Sequence, residues 1–170
     1  MILKGIDRSR IVIMNLPTAH LKSDTDIMAR GPLSVHSYLK KHNFDSILVD
    51  LAGTKDELWN LIPDSDFYGL STVTCQIFYA QKLAEFLKSR NPRARVIMGG
   101  AHAKAIPEDC LRNRGADIVV TDEGEECLLE LMTSKKDIVG IPGFAFLDKS
   151  GNIINTGMRP LEENIEKYYP

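Results

Sequence analysis

Five short apolar runs alternate along the chain with stretches whose apolar residues recur at helical spacing. The runs cover residues 10–16, 46–51, 67–73, 96–98 and 118–121. Such alternation is typical of α/β folds, in which each helix crosses the sheet and returns the chain to a parallel strand. We therefore predict an α/β fold with a doubly wound, five-stranded parallel sheet. Of the two common strand orders, we favour the flavodoxin-like order 2-1-3-4-5.

The sequence also predicts individual helices and, at the C-terminal end, a β-hairpin in place of a further helix and parallel strand. Residues 54–57 form a capping box, which predicts a short helix with Leu58, Leu61 and Ile62 on its apolar side. A longer helix is predicted by helical spacing at Ile77, Ala80, Leu83, Ala84 and Leu87. Residues 143–147 and 152–156 flank a turn signal and predict a C-terminal β-hairpin. We expect one domain over 1–170, with its core in 9–135 and the hairpin and tail in 138–170.

Composition narrows the class of partner. A net charge of −2 over 170 residues gives no electrostatic basis for binding nucleic acid or an anionic membrane. No apolar stretch is long enough to span a bilayer, and the first ten residues lack an apolar signal segment. The three cysteines are widely spaced and form no CxxC, so we expect reduced thiols, a cytoplasmic protein and no iron–sulfur cluster in this chain.

Two strand ends carry the first candidate ligand site. Gly99 and Gly100 end the fourth apolar run, and paired glycines let a ligand lie directly against the backbone. Ser71, Thr72 and Thr74 follow the third run and offer three hydroxyls to the polar atoms of a ligand. Strand propensity of threonine and helix capping by serine are the structural alternatives. In open parallel sheets, ligands bind at these carboxyl ends of strands.

Histidines and acids add further candidates on the same rim. His102 follows the glycine pair on a predicted loop, where a solvated histidine is the plainer interpretation. Residues 122–126, Asp-Glu-Gly-Glu-Glu, place acids at a helix N-terminus, where the helix dipole favours them. Their charge would repel phosphate and suits a neutral, amide-rich ligand better. His20, on the long first loop at 18–30, is a weak candidate metal ligand. Neither a P-loop nor a dinucleotide fingerprint is present.

The order of these motifs resembles the cobalamin-binding domain at the N-terminus of cobalamin-type radical SAM enzymes. The matching segments are residues 15–17, 31–33, 68–74, 99–102, 117–125 with their acid–glycine–acid signature, 140–143 and the hairpin. The resemblance implies a flavodoxin-like Rossmann fold that binds cobalamin on the carboxyl-end rim. It implies that the nucleotide tail of the cofactor meets Ser71, Thr72, Thr74, Gly99 and Gly100. His102, Glu123 and Gly124 match the adjoining rim motifs.

The chain departs from the family pattern at three places. The first residue of the acid–glycine–acid signature is usually glycine in the family and is Asp122 here. Related methyltransferase and mutase domains carry DxHxxG, whose histidine ligates cobalt, whereas residues 18–23 keep only His20. Without the aspartate that orients the imidazole, we expect cobalamin without a histidine ligand on cobalt. The cysteine-rich catalytic half of the family does not occur in these 170 residues. The resemblance therefore implies a module that is not catalytic alone and serves a radical SAM domain or protein as its partner.

Two alternatives stay open at the level of sequence. The weakened DxHxxG is also consistent with a vestigial Rossmann-like docking or structural domain that no longer binds cobalamin. A rim filled by side chains would favour that interpretation. A small enzyme that uses His102 or Glu123 for acid–base chemistry is the other alternative, and it requires an apolar cleft that contains both residues.

Overall fold

A single sheet organises the computed structural model, which describes residues 3, 6–18, 23, 25, 29–54, 56–160 and 164–168. The strands are β1 Arg10–Asn15, β2 Asp45–Asp50, β3 Phe67–Ser71, β4 Arg95–Gly99, β5 Ile118–Val120, β6 Phe144–Leu147 and β7 Ile153–Asn155. The α-helices are α1 Arg30–Lys41, α2 Ile77–Arg90, α3 Ala101–Ala105, α4 Pro107–Asn113 and α5 Gly124–Thr133. Short 3₁₀ helices lie at Asp56–Leu61, Thr74–Gln76, Ile138–Gly140 and Ile165–Tyr168.

The strands follow one another across the sheet in the order β2-β1-β3-β4-β5-β6-β7. The first five are mutually parallel, and β6 and β7 extend the same sheet in antiparallel pairing. The predicted order 2-1-3-4-5 and the C-terminal hairpin are therefore confirmed. The strand order reverses between β1 and β3, which places the first and third strand ends beside each other on the carboxyl rim.

One face of the sheet is covered by α2 and α4 and is referred to below as the closed face. Its cluster includes Val12, Met14, Leu70, Val96 and Met98 from the strands, all buried. The five residues that predicted α2 all lie in this cluster. Burial of an apolar stripe of this kind supplies most of the stability of a helix in a protein of this size.

The opposite face is covered by α1 and α5 and is referred to below as the open face. Ile11, Ile13, Phe67, Ile97 and Ile118 point into it from successive strands. Leu128, Leu131 and Met132 of α5 pack against them. Because side chains alternate across a strand, neighbouring residues in each strand belong to different faces.

The short helix after β2 differs from the prediction. Residues Asp56–Leu61 form a 3₁₀ helix, and the Thr54 hydroxyl donates to the carbonyl oxygen of Leu51 at 2.8 Å instead of capping it. Leu58 and Leu61 are exposed, whereas Trp59 and Ile62 are buried. The prediction was wrong for Leu58 and Leu61, although Ile62 is buried as expected. A 3₁₀ helix has three residues per turn, so Leu58 and Leu61 share the exposed side.

Two further expectations concern His20 and membrane-spanning segments. His20 lies outside the described residues, so its prediction as a weak metal ligand stays a prediction. Within the described part of the chain, no helix is both long and apolar enough to cross a bilayer.

Candidate functional site

A cleft of about 240 Å³ opens at the carboxyl end of the open face. The strands β3, β4 and β5, with Ile13 of β1, form its floor, and the N-terminal halves of α1 and α5 form its walls. Pro32 and Val35 line it from α1, and Leu128 lines it from α5. The cleft is thus an apolar slot between sheet and helices, at the strand ends where open parallel sheets bind ligands.

Glycines leave the floor of the slot without side chains. In the register of β3 and β4, Gly69 lies opposite Ile97 and Ser71 lies opposite Gly99. A Cβ on Gly69 would have its nearest neighbour at 3.7 Å, as would a Cβ on Gly99. An added Cβ would therefore make ordinary van der Waals contacts at both positions, and it would occupy part of the cleft. These two glycines keep the slot open, which is the use of glycine where a ligand approaches backbone.

Gly100 has a different role from its neighbour. Its φ is +90°, a conformation that L side chains rarely adopt. A Cβ there would lie 2.6 Å from the carbonyl oxygen and 2.8 Å from the nitrogen of Thr72. The chain needs glycine at this position to turn from β4 into α3, whether or not a ligand is bound.

The walls of the slot are held together where α1 meets α5. A Cβ on Gly124 would lie 3.1 Å from Cγ2 of Val35, so glycine permits the close approach of the two helices. The Ser34 hydroxyl donates to the buried carboxylate of Glu125 at 2.6 Å. This charge-assisted hydrogen bond links the two walls and fixes the width of the slot.

Two opposite charges face each other at the mouth of the cleft. The Nζ of Lys104 in α3 lies 3.8 Å from Oε1 of Glu123, and both side chains are at least half exposed. The neighbouring Asp122 carboxylate turns away from this pair. It accepts hydrogen bonds from the backbone nitrogens of Glu123 and Arg159, at 2.9 and 2.7 Å.

A separate polar network lies behind the rim, near the closed face. The hydroxyl of buried Thr72 donates to the carbonyl oxygen of Gly99 at 2.9 Å. His102 lies in the first turn of α3 and is buried, so the expectation of a solvated loop histidine was wrong. Its Nδ1 lies 3.2 Å from the hydroxyl of Thr74, and its Nε2 lies 3.8 Å from Oδ2 of Asp109. This network joins α3, α4 and the 3₁₀ turn after β3.

The Asp109 carboxylate is the best-bonded group of that network. It accepts hydrogen bonds from Nε of Arg114 and Nδ2 of Asn113, both at 2.8 Å. The hydrogen bond from the Arg114 guanidinium, and then that from Asn113, holds the pKa of Asp109 below its usual value of 3.8. The bonds to Asp109 are charge-assisted and support the strand ends, whereas the buried Nε2 of His102 has no hydrogen-bond partner among the described residues.

Comparison with known families decides where this fold belongs. The family model of the B12 binding domain matches residues 18–132, which include the floor and both walls of the cleft. The chain belongs to the B12-binding domain family. The resemblance seen in the sequence is therefore confirmed.

Curated relatives of this B12-binding domain are much longer proteins. The uncharacterized methyltransferase PH0819 of Pyrococcus horikoshii is 31% identical over 108 residues, covering 61% of this chain and 23% of its own. The anaerobic magnesium-protoporphyrin IX monomethyl ester cyclase of Rubrivivax gelatinosus is 24% identical over 149 residues, covering 82% and 26%. The chain spans about a quarter of the length of these relatives.

Solved structures share the fold of the domain. One is the radical S-adenosylmethionine methyltransferase TsrM from Kitasatospora setae with cobalamin and a [4Fe-4S] cluster bound. It gives a TM-score of 0.74 at 16% identity, over 89% of this chain and 32% of that chain. The cobalamin-dependent radical enzyme OxsB with aqua-cobalamin and S-adenosylmethionine bound gives 0.69 at 19% identity, over 90% and 22%.

The structure brings together part of the predicted site of the B12-binding domain. The predicted residues that line the cleft are Ser71, Gly99, Gly100, Glu123 and Gly124. The predicted residues that do not line it are Thr72, Thr74 and His102. Since Glu123 lines the cleft and His102 does not, the two residues do not form the joint acid–base site that a small enzyme would require.

Among the cleft residues that the sequence reasoning did not predict, two bear directly on ligand binding. Gly69 interrupts the apolar run of β3, and a lone glycine inside a strand pattern is a usable signal of close backbone approach. Lys104 reaches the mouth because α3 begins directly after Gly100. The sequence contained no comparable signal for Lys104, because α3 was predicted as a loop.

Proposed function

We propose that this B12-binding domain binds cobalamin, with the nucleotide tail of the cofactor in the glycine-floored cleft and the corrin ring above the carboxyl-end rim. The observation that carries the proposal is the pair Gly69 and Gly99 on the floor, where an added Cβ would make only ordinary contacts but would occupy part of the slot. A flat heteroaromatic base has the shape that such a slot accepts. The apolar lining from Pro32, Val35 and Leu128 suits its faces.

The size of the cleft supports this orientation of the cofactor. Whole small-molecule sites typically occupy roughly 300–1,000 Å³. A cleft of about 240 Å³ is smaller than that range, so it has room for one ring system and not for a corrin macrocycle. The corrin ring would therefore stay outside, over the rim formed by the ends of β3 and β4.

Some residues of the rim would contact the cofactor directly, and others would hold the contacting groups in place. The Ser71 hydroxyl at the floor would donate to or accept from polar atoms of the tail, and Glu123 would meet amide or hydroxyl donors at the mouth. Thr72 would act indirectly, because its hydroxyl holds the carbonyl of Gly99 in place. Thr74 and His102 would likewise support the rim through the network with Asp109.

When bound, cobalamin supplies a cobalt centre for group-transfer chemistry, and the protein supplies position and environment. We propose that the domain is not catalytic alone and presents the corrinoid to a radical SAM domain or partner. The length comparison supports this arrangement, since the chain covers 22% of the OxsB chain and 32% of the TsrM chain. We retain the prediction that no histidine of the DxHxxG type ligates cobalt, because residues 18–23 lack the aspartate and glycine of that motif.

A titration with hydroxocobalamin tests the proposal. We expect the wild-type protein to bind, seen as a shift of the corrinoid absorbance spectrum and as heat in calorimetry. Gly69→Val should abolish binding, because valine suits a strand and its side chain would fill the slot. The matched control is Gly140→Val, at an exposed glycine where an added Cβ would have no neighbour within 4 Å. We expect this control to bind normally.

The same titration separates the alternatives. If the wild-type protein does not bind at roughly tens of micromolar hydroxocobalamin, the proposal is contradicted. A dissociation constant in that range corresponds to a binding free energy of about −6 kcal/mol. It would favour the docking or structural domain that no longer binds cobalamin. Binding that survives Gly69→Val unchanged would show that the tail does not enter the cleft. Thermal unfolding of both variants checks that each is folded.

A further inference from the structure

Lys104 is the one cation among the described residues that line the cleft. Its backbone nitrogen donates to the carbonyl oxygen of Gly100 at 3.0 Å, so the first turn of α3 fixes where the side chain starts. The side chain is half exposed and lies at the mouth, not on the floor. Lys104 is therefore placed beside whatever enters or leaves the slot.

Three carboxylates lie near Lys104 at the mouth. Those of Asp122 and Glu125 accept hydrogen bonds from other groups, and that of Glu123 is exposed. Asp122 accepts two backbone hydrogen bonds, and Glu125 accepts the hydroxyl of Ser34. The contact between Lys104 and Glu123 is 3.8 Å long, and the Glu123 side chain is 64% exposed. Exposed ion pairs of this kind contribute roughly 0–1 kcal/mol, so a better-placed anion would displace Glu123 from Lys104.

The acidic stretch at 122–126 would by itself repel a phosphate group. The Lys104 ammonium lies across the mouth from that stretch, 3.8 Å from the Glu123 carboxylate. It adds a positive charge that can attract a phosphate group at this point. Cobalamin carries a phosphodiester between the corrin side chain and the ribose of its tail. With the base in the slot and the corrin ring on the rim, this phosphodiester must pass the mouth.

We propose that Lys104 binds the phosphodiester of the cobalamin nucleotide tail at the mouth of the cleft. This inference rests on the proposed function and assigns a specificity role to one residue within it. An ammonium group has three donors, and its hydrogen bonds to phosphate oxygens are charge-assisted. Lys104 would thereby favour complete cobalamin over corrinoids that lack the nucleotide tail.

The test compares four proteins and two corrinoids by titration calorimetry. The proteins are the wild type, Lys104→Met, Lys104→Arg and Lys136→Met. The last removes an exposed cation that pairs with Glu130 outside the cleft, so it matches the change in net charge. The corrinoids are hydroxocobalamin and dicyanocobinamide, which lacks the phosphodiester, ribose and base.

We expect Lys104→Met to weaken hydroxocobalamin binding about tenfold, equivalent to about 1.4 kcal/mol. Lys104→Arg should retain most of the affinity, and Lys136→Met should equal the wild type. Binding of dicyanocobinamide should not respond to Lys104→Met. Added salt should weaken hydroxocobalamin binding more in the wild type than in Lys104→Met, because the contact is between charges in water.

Hydroxocobalamin binding by Lys104→Met that equals the wild type would overturn the inference. Equal losses in Lys104→Met and Lys136→Met would also overturn it, since they would reflect net charge alone. So would identical salt dependence in the wild type and Lys104→Met. A wild-type protein that binds neither corrinoid would instead overturn the proposed function. That result is distinguishable from the others, because none of the four proteins would then show binding.

Discussion

The two faces of the sheet use the same strands in different ways. On the closed face, Leu83, Ala84 and Leu87 of α2 are fully buried against large strand side chains, and the space is filled. On the open face, Gly69 and Gly99 interrupt the corresponding layer, and a slot remains under α1 and α5. The difference shows that this fold creates its candidate site by leaving out side chains from a core that is otherwise packed.

The contrast is sharpest between neighbouring residues at the end of β3. Ser71 lines the slot, whereas Thr72 is buried and bonded to the Gly99 carbonyl. Ser71 is the last residue of β3 and Thr72 follows it, and their hydroxyls belong to different layers because successive side chains of an extended chain point to opposite sides. Substitutions on the two sides should therefore separate stability from ligand binding.

The largest effect is expected at the glycine pair. Gly100→Ala should destabilise the protein by about 3 kcal/mol or more, because its φ is +90° and the added Cβ would meet the backbone of Thr72. Gly99→Ala should cost less than about 1 kcal/mol, since its Cβ would make an ordinary contact with Val120, but it should weaken cobalamin binding. Urea unfolding and corrinoid titration measure the two outcomes. Equal destabilisation by both variants would remove the distinction between the glycines.

An intermediate effect is expected in the polar network behind the rim. Asp109→Asn should destabilise the protein by about 1–2 kcal/mol at neutral pH, because it weakens charge-assisted hydrogen bonds from Arg114 and Asn113. The folded-state pKa of Asp109 lies below 3.8, so the carboxylate stabilises the fold above that pH. This contribution is lost as the pH falls through the folded-state pKa.

The pH dependence supplies the control for that variant. The gap in unfolding free energy between wild type and Asp109→Asn should narrow between about pH 5 and about pH 2, measured by urea unfolding at each pH. A gap that stays constant over this range would show that the shape of Asp109, and not its charge, supports the network.

The smallest effect is expected from the two hydroxyls at the end of β3. Thr72→Val should cost about 1 kcal/mol of stability, because it removes one hydrogen bond while the Thr72 nitrogen still donates to the Gly99 carbonyl. Ser71→Ala should change stability by less than about 0.5 kcal/mol and weaken cobalamin binding about fivefold. Thermal unfolding and calorimetry give both values. A loss of stability in Ser71→Ala as large as in Thr72→Val would contradict the division between faces.

Local patterns were enough to predict the fold but only part of the site. The strand runs, the spacing of α2 and the hairpin turn each carry their own signal, whereas the strand order 2-1-3-4-5 was chosen from two orders that these signals allow equally. At the helix Asp56–Leu61 the buried side was predicted wrongly for Leu58 and Leu61, because a capping signal does not distinguish an α-helix from a 3₁₀ helix. His102 was expected on a solvated loop, because nothing local to it reports the burial caused by α3 and α4.

By itself, the sequence determined the periodicity of apolar residues and the positions of glycine, and with them the layered α/β fold and the rim on which a ligand would bind. Tertiary structure alone decided which rim residues share a cleft. Ser71, Gly99 and Glu123 meet at the slot because their strands and the start of α5 converge there. The polar network behind the rim contains the other three predicted residues, Thr72, Thr74 and His102. The physical reason is that the face a side chain occupies depends on where each strand ends and what packs behind it, and both are set by contacts distant in sequence.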